Sequence, residues 1–285
     1  MTLSDSNLSL RPQQHRLVLE PPGRFVLPSA MEIWHFRDLL LTLAVRDLKV
    51  RYKQTALGAA WILLQPLLGA GILTFVFAKV AGLDAPGGTP YFLLSFAGMV
   101  VWTAFSSTLS RTSSALIGNA SLVSKVYFPR LILPLSTLFS TLVDVAVMMV
   151  MLMVLCAMYG VGIPPAILLT PLLVLVSMLL ASGIGTFLAG LAVKYRDVQY
   201  LLPVITQMLV LASPVAYSAA RAGRYRTIYF LNPLAGLIEA FRWCVLGSGA
   251  ATTGTVFYAV IVSIAAALMG WIAFARMDRT FADVI

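Results

Sequence analysis

An apolar run from Ala60 to Val80 follows directly on the basic stretch RDLKVRYK, Arg46 to Lys53. Crossing about 30 Å of hydrocarbon at about 1.5 Å per helical residue takes roughly 20 residues. The run supplies them, with its first charge at Lys79. Such a segment places the chain in a bilayer with its basic flank on the inner side. The rest of the chain agrees: 60% of its 285 residues are hydrophobic and 11% are charged. With a mean hydropathy of +0.91, it cannot fold as a water-soluble globule.

Five further runs have the same character: Tyr91 to Leu109, Leu131 to Tyr159, Ile167 to Val193, Leu201 to Ala216 and Thr255 to Ala275. The expected fold is therefore all-α: six transmembrane helices preceded by an amphipathic interface helix. The fifth run is short and carries Pro203 and Pro214, so a kinked or re-entrant helix is its alternative. Six spans with both termini inside leave 15 of the 20 Lys and Arg residues on the cytoplasmic side. The net charge of +9 is thus membrane topology, and nucleic acid is excluded as a partner.

These runs divide the chain into a flexible cytoplasmic tail (1–30), an interface helix (31–55), a six-span domain (60–275) and a second cytoplasmic tail (276–285). The first tail lacks a continuous apolar stretch and contains Pro12, Pro21, Pro22 and Pro28, so no cleavable signal is expected. Cys156 and Cys244 form neither a disulfide framework nor a metal-binding spacing and are expected to pack.

Between Met31 and Lys53, steps of three or four residues put His35, Asp38, Thr42, Arg46, Lys49 and Lys53 on one helix face. Ile33, Phe36, Leu40, Leu43, Ala44 and Leu48 fall opposite. Such a helix lies in the headgroup plane. Arg46, Lys49, Arg51 and Lys53 are candidates to meet an anionic lipid headgroup or the pyrophosphate of a substrate lipid, and topology anchoring alone is the alternative. Asp47 and Arg51 are spaced for an i,i+4 pair and could face a soluble partner.

Residues 218–250 are too apolar for a solvated loop and too interrupted, by Asn232, Pro233, Glu239 and Arg242, for a span. They read as a helical hairpin dipping into the outer leaflet, its second helix beginning after Asn232 and stopping at Gly247, with an ordinary extracellular loop as the alternative.

Asp144 lies mid-span, where a carboxylate needs a polar neighbour, a proton or water. With Thr137, Ser140 and Thr141 it forms a stripe that could line a glycan path or join helices through Gln65 or Gln207. Phe75, Trp102 and Phe105 are aromatic channel candidates, with interfacial belts as the alternative. Met148, Met149, Met151 and Met153 read as packing or lipid-facing surface. Ser182, Thr186 and Gly190 form a seam for close helix contact.

RDLKVRYKQTALGAAWILLQP resembles the permease subunits of ABC-type exporters of O-antigen, teichoic acid and related polysaccharides. The matching residues are Arg46, Asp47, Lys49, Arg51, Tyr52, Leu57, Gly58, Trp61 and Pro66. Lys125 to Asp144, Lys194 to Ser218 and Asn232 to Trp243 are similar in the same order. The resemblance implies a homodimer docked to two nucleotide-binding ATPase subunits, moving a lipid-linked glycan across the bacterial inner membrane. It also implies coupling helices in the cytoplasmic loops 111–130 and 194–200. Asp47, Ser113, Leu116, Asn119, Leu122, Lys194, Arg196 and Asp197 are the coupling candidates. The chain has no G-x-x-x-x-G-K-[ST] motif, so ATP and Mg2+ are expected on the partner subunit and no cofactor on this one.

Export of drugs or small lipids is the alternative. A membrane enzyme acting on lipid-linked sugars would want clustered carboxylates or His residues near a leaflet, but Asp144 stands alone and His15 and His35 precede the first span.

Overall fold

The computed structural model describes residues 30–53, 60–219, 223 and 225–278, and among these the chain is helical, with no strand. Two helices come first, α1 (Ala30–His35) and α2 (Arg37–Lys53). Next come α3 (Ala60–Thr74), continued by a wider π-helical turn to Val80, and α4 (Tyr91–Gly118). A short α5 (Ala120–Val123) leads to α6 (Ile132–Met158), α7 (Thr170–Lys194) and α8 (Val198–Ala212). The chain then forms α9 (Arg226–Tyr229), α10 (Pro233–Leu246) and α11 (Thr253–Met277).

Among the described residues, five helical stretches are long and apolar enough to cross a membrane: Ala60–Val80, Tyr91–Gly118, Ile132–Met158, Pro165–Lys194 and Thr253–Met277. The expected fifth span is represented by α8, whose 15 residues cover about 22 Å at 1.5 Å per residue, short of a hydrocarbon core.

Helix α4 is the centre of the bundle, packing on α3, α6, α7 and α10. It continues to Gly118, so the expected cytoplasmic loop from Arg111 begins eight residues late. Ser113 and Leu116, expected on a coupling helix, are instead buried in the last turns of α4. Asn119 and Leu122 do lie on the short connection beyond it.

Helix α7 meets its neighbours almost backbone to backbone. A Cβ on Gly183 would collide with the backbone of Ala266 and Ala267 in α11, and one on Gly185 with Thr112 of α4. Ser182 and Thr186 are buried and Gly190 abuts Met277 of α11 as the seam predicts, but the closest approach runs through Gly183 and Gly185. Small residues are what allow this where no hydrophobic effect drives helices together.

Helix α10 starts where Asn232 accepts the Leu234 N–H (3.1 Å) and Pro233 occupies the first position. It stops at Gly247, whose φ of 66° favours glycine. Its residues Leu234, Leu237, Ile238 and Phe241 enter the core, whereas Leu231 and Trp243 remain exposed. Glu239 and Arg242, which looked like interruptions, are fully buried and paired at 3.1 Å.

Along α1 and α2, His35, Asp38, Thr42, Arg46 and Lys49 are exposed, while Leu43 and Ala44 are buried and Ile33, Phe36, Leu40 and Leu48 partly so. The amphipathic pattern is thus realised by packing against α6. Cys156 and Cys244 are buried free thiols.

Gly183→Leu is expected to force α7 and α11 apart and cost about 1–3 kcal/mol as overpacking does elsewhere. Gly118→Ala, whose new Cβ would meet nothing within 4 Å, serves as the control. Thermal unfolding of the detergent-solubilised variants, followed by size-exclusion chromatography, checks this.

Candidate functional site

One face of α4 turns away from the core. Met99, Trp102, Thr103, Ser106, Ser107, Ser110 and Arg111 recur on it at steps of three, one and three residues, and they form the floor of a cleft of about 530 Å³. Its walls are Trp61, Ile62, Gln65 and Pro66 of α3 and Asp144 and Met148 of α6. Hydroxyls and aromatic rings therefore alternate along an otherwise apolar bundle, the mixture by which small-molecule sites orient polar ligands.

The charged end of the cleft is an ion pair between Arg111 and Asp144, with side chains 17% and 7% exposed. Arg111 also donates from Nη1 to Thr141 Oγ1 at 3.0 Å. The polar neighbour that Asp144 requires is thus Arg111, in place of the expected Gln65 or Gln207. Gln65 lines the cleft and Gln207 is exposed on α8. Arg111 had been assigned to a loop, so the pair could not be seen.

Among the other channel candidates, Trp102 lines the cleft and its ring centroid lies 5.9 Å from that of Phe105, which is buried. Phe75 is exposed on the π-helical turn that follows α3 and does not line the cleft. Thr137, Ser140 and Thr141 are buried in α6: Thr137 donates to the carbonyl of Pro134, and Ser140 Oγ has no partner among the described residues. The hydroxyl stripe of Thr103, Ser106, Ser107 and Ser110 was missed. Its helical spacing inside an apolar run, ending on Arg111, is the signal that would have found it.

A second group gathers at the end of the bundle where α2, the α4–α6 connection and the last turn of α11 meet. Arg46 bonds both Asp47 (2.8 Å) and Asn119 Oδ1 (2.7 Å), so a headgroup candidate and two coupling candidates form one network. Asp47 thus has Arg46 as its partner; the side chains of Arg51 and Lys53 lie outside the described residues, as do Leu57 and Gly58. Lys49 is exposed. Lys194, Arg196 and Asp197 are also exposed, Lys194 with its ammonium 5.2 Å from the Tyr195 ring centre. Arg130 reaches Asp278 at 3.0 Å; burial lifts the Asp278 carboxyl above the usual carboxylate range even though Arg130 pulls it down.

Comparison with known proteins adds a family. Residues 38–246 match the ABC-2 type transporter family. The chain is 28% identical over 214 residues to the O-antigen export system permease protein RfbA of Myxococcus xanthus, covering 74% of this chain and 81% of that protein. It is 25% identical over 257 residues to the protein of the same name in Klebsiella pneumoniae, covering 87% and 95%. It is 27% identical over 216 residues to the polysialic acid transport protein KpsM of Escherichia coli, covering 72% and 80%.

Removing one member of the Arg111–Asp144 pair leaves the other charge unmatched in an apolar bundle, a loss of about 3–5 kcal/mol for buried pairs. Arg111→Met is therefore expected to reduce the amount of folded protein, and adding Asp144→Leu to recover much of it. Fluorescence-detected gel filtration of the single and double variants measures both.

Proposed function

Because the chain belongs to the ABC-2 type transporter family, we propose that it is the permease of an ATP-driven exporter carrying a lipid-linked polysaccharide across the bacterial inner membrane. The observation that carries this reading is the cleft between α3, α4 and α6, where Trp61 and Trp102 stand beside Thr103, Ser106, Ser107 and Ser110. Indole faces take up the apolar face of a sugar ring, and the hydroxyls exchange hydrogen bonds with its O–H groups. A glycan can pass along such a surface because no single contact is strong. The names of the relatives, which export O-antigen and transport polysialic acid, agree with this chemistry.

In this reading the chain crosses six times, α8 and the segment after it making the fifth passage, and both termini are cytoplasmic. The 218–250 segment is the outer hairpin, with α10 as its second helix. Placing the α2 end of the bundle inside accords with its basic residues, among them Arg37, Arg46, Lys49, Lys125, Arg130, Lys194, Arg196 and Arg276. Arg46, Lys49, Arg51 and Lys53 are the residues proposed to meet an anionic lipid headgroup.

The transporter is a homodimer. Helices α3 and α8 are the least covered by their own chain, and their apolar faces are available to a second copy. Each copy docks a separate ATPase, which binds ATP and Mg2+; this chain binds no cofactor. The docking surface is the Arg46–Asp47–Asn119 network together with Leu122 and the exposed Lys194–Asp197 turn. ATP-driven movement of the partner shifts α2 and the α4–α6 connection, and through α4 alters the cleft.

Cells depleted of the protein are expected to lose surface polysaccharide and to accumulate lipid-linked glycan on the cytoplasmic side, both reversed by a restoring copy. Unchanged pools would refute polysaccharide export and favour a drug or small lipid as cargo. Ser106→Leu combined with Ser107→Leu narrows the cleft and is expected to cut surface polymer several-fold at unchanged permease level. Export at the parental rate by that variant would remove the cleft from the path.

A further inference from the structure

Among the described residues, the end of the bundle away from α2 carries few cations. Among the described residues its Lys and Arg are Lys79, the buried Arg242 and Arg226. Arg242 is accounted for by Glu239. Arg226 is not, because no described carboxylate pairs with it, and it runs against the charge bias of the rest of the chain.

Arg226 lies on the wall of a second cleft, of about 480 Å³, formed where α9 and the start of α11 face each other. Its Nη2 donates to the carbonyl of Ala250 at 2.8 Å, and its guanidinium carbon lies 5.7 Å from the centre of the Phe230 ring. These two contacts hold the group in place while leaving most of its five N–H donors unspent. The same cleft is lined by the hydroxyls of Thr227, Thr252 and Thr255 and by Tyr258. Beside it, Ile228, Leu231 and Phe257 are 61–66% exposed, an apolar rim of the kind that meets acyl chains.

We propose that this cleft binds the anionic phosphodiester headgroup of a membrane lipid. The guanidinium fork matches two phosphate oxygens, and the Thr227 hydroxyl in the same cleft can add a donor, those of Thr252 and Thr255 being engaged with each other in the α11 cap. The positive end of the 25-residue α11 adds to the field. The rim receives the upper part of the acyl chains. A zwitterionic headgroup is a poorer fit, because the site offers no described carboxylate to its cation. Because Arg226 is held before the ligand arrives, less ordering is lost on binding. This inference does not depend on what the transporter carries.

The test titrates the full-length chain in detergent with short-chain phosphatidylglycerol, short-chain phosphatidylcholine and inorganic phosphate. Native mass spectrometry counts bound molecules and the thermal midpoint reports stabilisation. Saturable binding of phosphatidylglycerol in preference to phosphatidylcholine is expected. Arg226→Gln should weaken it about tenfold, the loss of one charge-assisted hydrogen-bonded contact. Arg226→Lys, which keeps the charge without the fork, should fall between, and Lys79→Gln should bind like the parent. The midpoints without lipid verify that each variant is folded. Equal binding by Arg226→Gln, or equal affinity for phosphatidylcholine, would overturn the proposal. A response to inorganic phosphate matching that to phosphatidylglycerol would overturn the lipid assignment in favour of a free-phosphate site. None of these outcomes touches polysaccharide export, which is read from surface polymer.

Discussion

Two opposite charges sit at zero exposure inside an apolar bundle, and much of the fold away from α2 is arranged to make that tolerable. Glu239 Oε1 accepts from the Ala219 N–H (2.8 Å) and from Arg242 (3.1 Å), and Oε2 accepts from the Ala250 N–H (2.8 Å). Arg242 donates to the carbonyls of Leu94, Val215 and Tyr217 at 2.8–3.1 Å. Desolvating either ion alone costs several kcal/mol, so the pair persists only because nearly every lone pair and proton is satisfied. The exchange is mutual. The chain from Ser213 to Ala219 leaves helical geometry while still buried, and irregular backbone in such surroundings must find partners outside itself. Arg242 and Glu239 are those partners, and Gly98 is the concession that admits them: a Cβ there would lie 2.7 Å from Val215 O and 2.8 Å from Arg242 Nη2.

That cluster explains what was legible in the sequence and what was not. Properties carried by a run of neighbours could be read: five of the expected spans appear as long apolar helices, the polar face of α2 is exposed where its period puts it, and α10 begins after Asn232 and ends at Gly247. Properties carried by one distant partner could not. Arg111 looked like the start of a loop because a lone cation is a poor membrane residue. The carboxylate that makes it acceptable lies 33 positions later, in α6. Glu239 and Arg242 looked like breaks in an apolar segment for the same reason. Arg46, beside Asp47 on α2, reaches Asn119, 73 positions on, a partner that no local spacing announces. The cleft was half visible, since Gln65, Trp102 and Asp144 were singled out as separate residues. The serines between them went unread because Ser in a membrane helix so often bonds only its own backbone.

The cleft also has walls of unequal firmness. Helix α4 is 72% buried over its most apolar stretch, and it is joined to α6 by the Arg111–Asp144 pair and to α7 by glycine contacts. Helix α3, the opposite wall, is 11% buried over the same length and carries Pro66. Pro removes a backbone hydrogen bond, and the π-helical turn that ends α3 further loosens its regular ladder. Separating α4 from α6 would pull apart a described ion pair, whereas α3 is held to α4 by apolar packing through residues such as Ile62, Leu67 and Ala70. The ion pair, sitting at the edge of the cleft floor, ties α4 to α6.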